Sequence, residues 1–274
     1  MVKRRLVSIG KWIVLVAFLI WTVTPILIVI VNSFKTAKDT FTDVPKIFFE
    51  PTLDNYVNAF TKSDIGLYFV NSAIVALSST LIVIILAMFA AYGLTSFQLR
   101  FANTIANGFL LGKLVPVIAM LLPIFVIFNA VGLRGTLVGP VIAHVALNLP
   151  FAVWLLLGFF RDIPRELEQA AMIDGCTRMQ AFWRVILPVV VPGMAAVFIL
   201  SAQYSWNELL FSLQLTNLET YTLPVGIASF VGAISVDWGL SSAAATITMV
   251  PMILIGFFVQ KYIAQGTTGG AVKG

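Results

Sequence analysis

Cysteine and histidine each occur once in the 274 residues, as Cys176 and His144. One thiol cannot close an internal disulfide. One imidazole beside one thiol cannot furnish a Cys- or His-rich metal site or a His-based catalytic triad. Charge is scarce too: Asp, Glu, Lys and Arg make up 11% of the chain, against about 25% in ordinary soluble domains. No Gly-x-x-x-x-Gly-Lys-Ser/Thr run occurs, so the sequence carries no phosphate-binding loop. Heptads, low-complexity tracts and short internal repeats are also missing.

Apolar residues fill the chain instead. They account for 59% of it, with a mean hydropathy of +0.99. A water-soluble core built from this composition would leave too few polar side chains to cover its outside. A soluble enzyme, a disordered chain and a nucleic-acid-binding domain are therefore excluded. The net charge of +5 is read as a topological signal, because membrane proteins gather Lys and Arg on their cytoplasmic side.

A helical span needs roughly 20 mostly apolar residues. Six stretches qualify: about 12–32, 68–95, 104–129, 137–160, 187–211 and 240–262. The expectation is an all-α integral membrane protein with one transmembrane domain over 1–274, in contact with lipid and not with nucleic acid. The first span is not read as a cleaved signal peptide. It is too long for an h-region, and no small-residue cleavage site follows Asn32-Ser33-Phe34-Lys35. With the N-terminus inside, eleven Lys and Arg residues fall on inside segments and five on outside ones, leaving Lys113 within a span. Both termini are thus expected in the cytoplasm.

Two loops are long enough for a role of their own. Residues 34–64 lie outside, with turn formers Pro45, Pro51 and Asn55. Residues 161–186 lie inside. There Pro164 suits the first turn of a helix, and Arg165 to Asp174 are mostly good helix formers. Leu167, Ala170 and Ala171 fall on one face. Gly175 can supply a left-handed C-terminal cap. Thr177 and Gln180 form a Thr-x-x-Gln capping box that starts a second helix. Pro188 and Pro192 are expected to kink the entry into the fifth span. The residues leave two readings open: a helix–glycine–helix elbow that docks a partner, or an interfacial linker.

The same stretch resembles the cytoplasmic signature of importer permeases of the ATP-binding cassette class. In that pattern Glu-Ala-Ala is followed by three residues, Gly, nine residues, and an aliphatic-x-Leu-Pro. Here Gln169-Ala170-Ala171 precedes Gly175, and Val185-Ile186-Leu187-Pro188 follows at the full spacing. The family's Glu is replaced by Gln169, with Glu168 one place earlier and about 100° around the helix. Both remain candidates for its role. The resemblance runs nearly end to end and is nearest to the smaller permease subunit of maltose-type carbohydrate importers. It is carried by Asn32-Ser33-Phe34-Lys35-Thr36, Thr52-Leu53-Asp54-Asn55-Tyr56, Asn71-Ser72, Ala91-Tyr92-Gly93, Pro150-Phe151 and Trp206-Asn207-Glu208. The tail Gly266 to Gly274 also matches, and suggests a chain complete at that end.

The resemblance implies the type I importer fold and a place in a prokaryotic cytoplasmic (inner) membrane. It implies a second homologous permease subunit, two ATPase subunits below and an extracytoplasmic solute-binding protein above. Glu168, Gln169, Ala170, Ala171, Asp174, Gly175 and Thr177 would couple the chain to the ATPases. ATP and Mg would be handled on those partners, and this chain would hold no cofactor or metal and catalyse nothing itself. The solute would be a sugar, polyol or glycoside.

Charged or polar groups inside spans are functional candidates by default. Lys113 lies about ten residues into the third predicted span, some 15 Å deep at the rise of an α-helix. It either lines the translocation path or forms a buried pair. Gln203, Tyr204, Trp206, Asn207 and Glu208 cluster late in the fifth span and are further pathway candidates, with Trp206 able to stack on a sugar ring. Glu208 could equally act as an interfacial cap. His144 and Asn148, one turn apart, are expected to hydrogen-bond between helices. Pro116, Pro123, Pro140, Pro150 and Pro251 are expected kinks or breaks, and Gly93, Gly108, Gly112 and Gly139 sites of close helix packing. An ion-coupled secondary transporter would want inverted repeats and central acids, and Glu208 is the only intramembrane acid. An importer permease for a non-carbohydrate solute is the nearer alternative.

Overall fold

A computed structural model describes residues 2–40, 42, 46, 48–97, 100–230 and 237–269. Pro45 and the last five residues of the family-like tail lie outside the described residues. Every regular element among the described residues is helical. In chain order these are α1 (Val2–Ser33), α2 (Ala37–Thr40), α3 (Asp54–Thr61), α4 (Ile65–Ser96), α5 (Ala102–Gly112), α6 (Val117–Ala130) and α7 (Val138–Arg161). They continue with α8 (Arg165–Ile173), α9 (Arg178–Ala181), a π turn (Phe182–Ile186), α10 (Leu187–Trp206), α11 (Leu210–Leu215), α12 (Leu223–Ser229) and α13 (Trp238–Gly269).

Five described helical segments are long and apolar enough to cross a membrane: Ser8–Ser33, Ile65–Ser96, Val138–Arg161, Arg178–Trp206 and Trp238–Phe257. A bent pair, Ala102–Gly112 and Val117–Ala130, supplies a sixth if counted as one span. The third span, expected over 104–129 with a kink or break at Pro116, is broken just before that residue. Its halves meet at 89°. The N–H groups of Lys113 and Leu114 reach back three residues, to Leu110 and Leu111, each at 3.0 Å. Pro116 then takes φ −57° and ψ 126°. Proline offers no N–H to continue the ladder and disfavours a helical residue before it. Lys113 therefore sits at a break, and not midway along a helix.

The fifth span also departs from expectation. It begins at Arg178, within the elbow, instead of about 187, and ends at Trp206 instead of about 211. Just upstream of Pro188 and Pro192, where a kink was expected, the helix passes through the π turn. There the N–H of Leu187 reaches the carbonyl of Phe182, five residues back. The extra residue shifts the register where Pro188 has no N–H to give.

The chain divides into two compact units: residues 1–66 with 226–251, and 67–225 with 252–274. In the first, two family-like motifs dock on one another. The side-chain amide of Asn55 donates to the carbonyls of Ser33 and Lys35, at 2.9 and 2.8 Å, covering acceptors at the C-terminal end of α1. The hydroxyls of Tyr56 and Ser33 lie 2.7 Å apart, and the Tyr56 and Phe34 rings pack at 5.3 Å. Gly239 makes room for this loop, since a Cβ there would stand 2.6 Å from Oδ1 of Asn55. Lys46 beside Asp39 holds that exposed carboxyl below its usual range, chiefly through their hydrogen bond. Residues 12–21 of α1 leave their apolar side chains exposed, as lipid or neighbouring helices would require.

The second unit has its core around Ala87, Ala91, Ala152, Leu156, Phe182 and Val197, all completely buried. Asn71 and Ser72 fasten the start of α4 to a distant loop. Asn71 donates to the carbonyls of Glu219 and Tyr221, both at 3.0 Å, and Ser72 accepts from the N–H of Leu223 at 2.7 Å. The glycine expectation holds only in part. A Cβ on Gly139 would stand 2.7 Å from the carbonyl oxygen of Leu133, so that approach needs glycine. Gly93, Gly108 and Gly112 face open space. The glycine pressed hardest is Gly193, against the Phe159 ring.

Candidate functional site

The elbow begins where α7 ends. Asp162 and Ile163 close its last turn, and Pro164 starts α8 with the dihedrals of a helix N-cap. The helix stops through a paired cap. Gly175 adopts φ +90° and gives its N–H to Met172 at 3.2 Å, while Cys176 gives its N–H to Ala171 at 3.0 Å. This is the Schellman arrangement, and its positive φ favours glycine. The capping box is present in full. Gln180 N–H donates to the Thr177 hydroxyl at 3.3 Å, and Thr177 N–H to the Gln180 side chain at 2.9 Å.

The buried side of α8 is not the Leu167, Ala170 and Ala171 face. Ala171 is 8% exposed and Glu168 half-buried, whereas Leu167 and Ala170 face out. The reason is Glu168, whose carboxylate turns into the protein. One oxygen accepts from the Tyr92 hydroxyl at 2.7 Å and the other from the Ser96 hydroxyl at 2.9 Å. Arg178 stands 3.5 Å from the first oxygen, and its guanidinium lies over Phe97. Glu168 thus locks the elbow onto the end of α4. Gln169, Ala170, Asp174, Gly175 and Thr177 are exposed. Ile173, unnoticed in the sequence, is 85% exposed, with Met172 and Met179 exposed beside it in the chain. An apolar tip on a rigid, capped support is suited to a partner's groove. The available signal was Ile173's place on the turn away from Ala171.

The second group lies at the outer end of α10. Lys113 places its ammonium 5.1 Å from the centre of the Tyr204 ring. No carboxylate lies within ion-pair distance of it among the described residues. Gln203 and Asn207 are exposed one turn apart, and Asn207 donates to the Gln203 carbonyl at 2.8 Å. Trp206 separates from this set. It is 4% exposed and packs edge-on against Phe69, so it presents no face to a sugar.

Glu208 also turns inward. His144 lies 3.0 Å from it through Nε2, and the N–H groups of Phe211 and Ser212 donate to its carboxylate at 2.8 and 3.0 Å. It caps the first turn of α11, in line with the cap reading. His144 Nδ1 reaches Ser205 at 2.6 Å, and Ser79 donates to Ser205 at 3.0 Å. This buried chain joins α4, α7, α10 and α11. His144 bridges helices as expected, while the Ser79–Ser205 link had no sequence signal.

Residues 83–269 match the family model described as the inner membrane component of binding-protein-dependent transport systems. The chain belongs to this family. It is a multi-pass protein of the inner membrane and a permease subunit of a transport system. The sulfoquinovosyl glycerol transport system permease protein SmoH of Agrobacterium fabrum is 34% identical over 91% of this chain and 88% of its own. The trehalose transport system permease protein SugB of Mycobacterium tuberculosis is 35% identical over 81% of this chain and 82% of its own. The fold recurs in a crystal structure of a bacterial ABC transporter involved in alginate import. Its TM-score is 0.80 at 19% identity, covering 94% of this chain and 96% of that one. The fold is that of an ABC importer permease, as the sequence resemblance implied.

Proposed function

We propose that this permease forms half of the path by which an ATP-driven importer takes up a sugar, polyol or glycoside. A solute-binding protein delivers the solute from outside, and a second homologous permease forms the other half. Two ATPase subunits, which bind ATP and Mg, dock on the 161–186 elbow. The observation that carries this reading is the elbow itself. Glu168 and Ala171 hold α8 to the rest of the unit, and Gln169, Ala170 and Ile173 are left facing outward. In this arrangement Gln169 meets the ATPase, and Glu168 positions the helix that carries it. Lys113, Tyr204, Gln203 and Asn207 offer a cation, a ring and amide groups to a passing solute. The carbohydrate class is supported by the likeness to the sulfoquinovosyl glycerol permease SmoH and the trehalose permease SugB.

The test is ATP hydrolysis by the purified complex in lipid vesicles. The reading expects stimulation by the binding protein loaded with a sugar, polyol or glycoside. Stimulation only by an amino-acid- or peptide-loaded binding protein would reject the solute class. A complex without any ATPase would reject the mechanism.

A further inference from the structure

A cleft of about 480 Å³ opens beside the elbow, between the end of α4, the start of α5, the end of α7 and α8. Its volume falls among those of small-molecule sites, about 300–1,000 Å³. Three guanidinium groups line it, from Arg161, Arg165 and Arg178, against one carboxylate, Glu168. That carboxylate is already engaged by Tyr92, Ser96 and Arg178. Among the described residues, Arg161 donates only to the neutral amide oxygen of Asn103, at 2.6 Å, and Arg165 only to the backbone carbonyl of Thr95, at 3.2 Å. No carboxylate pairs with either among the described residues. Each guanidinium keeps further N–H groups in the fork geometry that matches a phosphate. The remaining wall is mixed, with the polar Thr95, Asn103 and Gln169 beside the apolar Leu94, Phe160 and Ile163.

We infer that this cleft binds the phosphodiester headgroup of an anionic phospholipid from the cytoplasmic leaflet. Arg161 and Arg165 hold the phosphate, the polar side chains meet the glycerol, and Leu94, Phe160 and Ile163 receive the upper acyl carbons. The position favours a lipid over a soluble phosphate. The spans α4 and α7 end at Ser96 and Arg161, so the cleft lies at headgroup level on the side that collects basic residues. Basic pockets between spans on that side suit anionic headgroups. A bound lipid would bridge α5, α7 and α8 and brace the elbow.

Native mass spectrometry of the full chain, released from vesicles of equal phosphatidylglycerol and phosphatidylethanolamine, tests this directly. Two arginines at the membrane surface should favour phosphatidylglycerol by about tenfold or more. The variant Arg161→Gln/Arg165→Gln should lose that preference. Arg184→Gln makes a single charge change outside the cleft and should keep it. If the double variant does not fold, Arg165→Gln alone should still show a weakened preference. Equal retention of both lipids by the wild type, or an unchanged preference in the folded arginine variants, would overturn the inference. Thermal stabilisation by inorganic phosphate but not by phosphatidylglycerol would overturn the lipid source.

Discussion

The Tyr92 hydroxyl donates to the Glu168 carboxylate across 2.7 Å, and this contact fastens the elbow to the end of α4. Ser96 and Arg178 complete the hold. Under the proposed coupling, a motion imposed on the elbow would reach a span through this charge-assisted hydrogen bond.

Removing one partner should loosen that hold. A hydrogen bond to a charged group contributes about 1.5–3 kcal/mol. Tyr92→Phe should lower stability by an amount in that range or below it. Combined with Glu168→Gln, it should cost less than the sum of the single changes. Thermal unfolding of the four proteins in one detergent measures the coupling, and strict additivity would remove the contact's role.

Gly175 holds φ +90° with open space around its Cα. The penalty for a side chain there is conformational rather than steric. A β-branched residue in this region costs about 1–3 kcal/mol. Gly175→Val should leave the protein in the membrane but reduce uptake and uncouple ATP hydrolysis from it. Normal uptake would contradict the coupling role.

At the break between α5 and α6, Lys113→Met removes the charge over Tyr204 while keeping much of the bulk. Uptake measured at equal complex yield should change. An unaltered solute profile and rate would assign Lys113 to packing.

The His144–Glu208 pair is 1% and 7% exposed at its side chains. Deleting one partner of a buried hydrogen bond to a charged group costs about 1–3 kcal/mol. His144→Ala should therefore lower thermal stability sharply, and Asn207→Ala, at an exposed site, should not. Comparable losses in the two variants would contradict the buried-hub account.

Much of this was legible in the sequence, for local reasons. Long apolar runs mark five spans, and Pro164, Gly175, Thr177 and Gln180 mark the elbow through their own backbone preferences. What was hidden depends on distance along the chain. Tyr92 and Glu168 are 76 residues apart, and His144 and Glu208 are 64 apart, so neither pairing has a local signal. Pro116 marked a kink or break in the third span, but the size of the 89° bend was not legible, because the hydropathy of residues 104–129 stays high across it. Gly193 reads like Gly93 and Gly108 in sequence, and only the Phe159 ring distinguishes it. Trp206 reads as a pathway ring able to stack on a sugar, yet it packs on Phe69 inside the unit.

The central claim is that the outward tip of the elbow receives the ATPase. The most direct measurement is purification of the tagged chain from its native membrane in mild detergent, with mass spectrometry of what accompanies it. The wild type should bring a second multi-span permease and a P-loop ATPase. Ile173→Asp, which puts a charge on the exposed tip, should bring the second permease without the ATPase. A wild type that emerges without an ATPase, or an Ile173→Asp variant that retains it fully, would contradict the account.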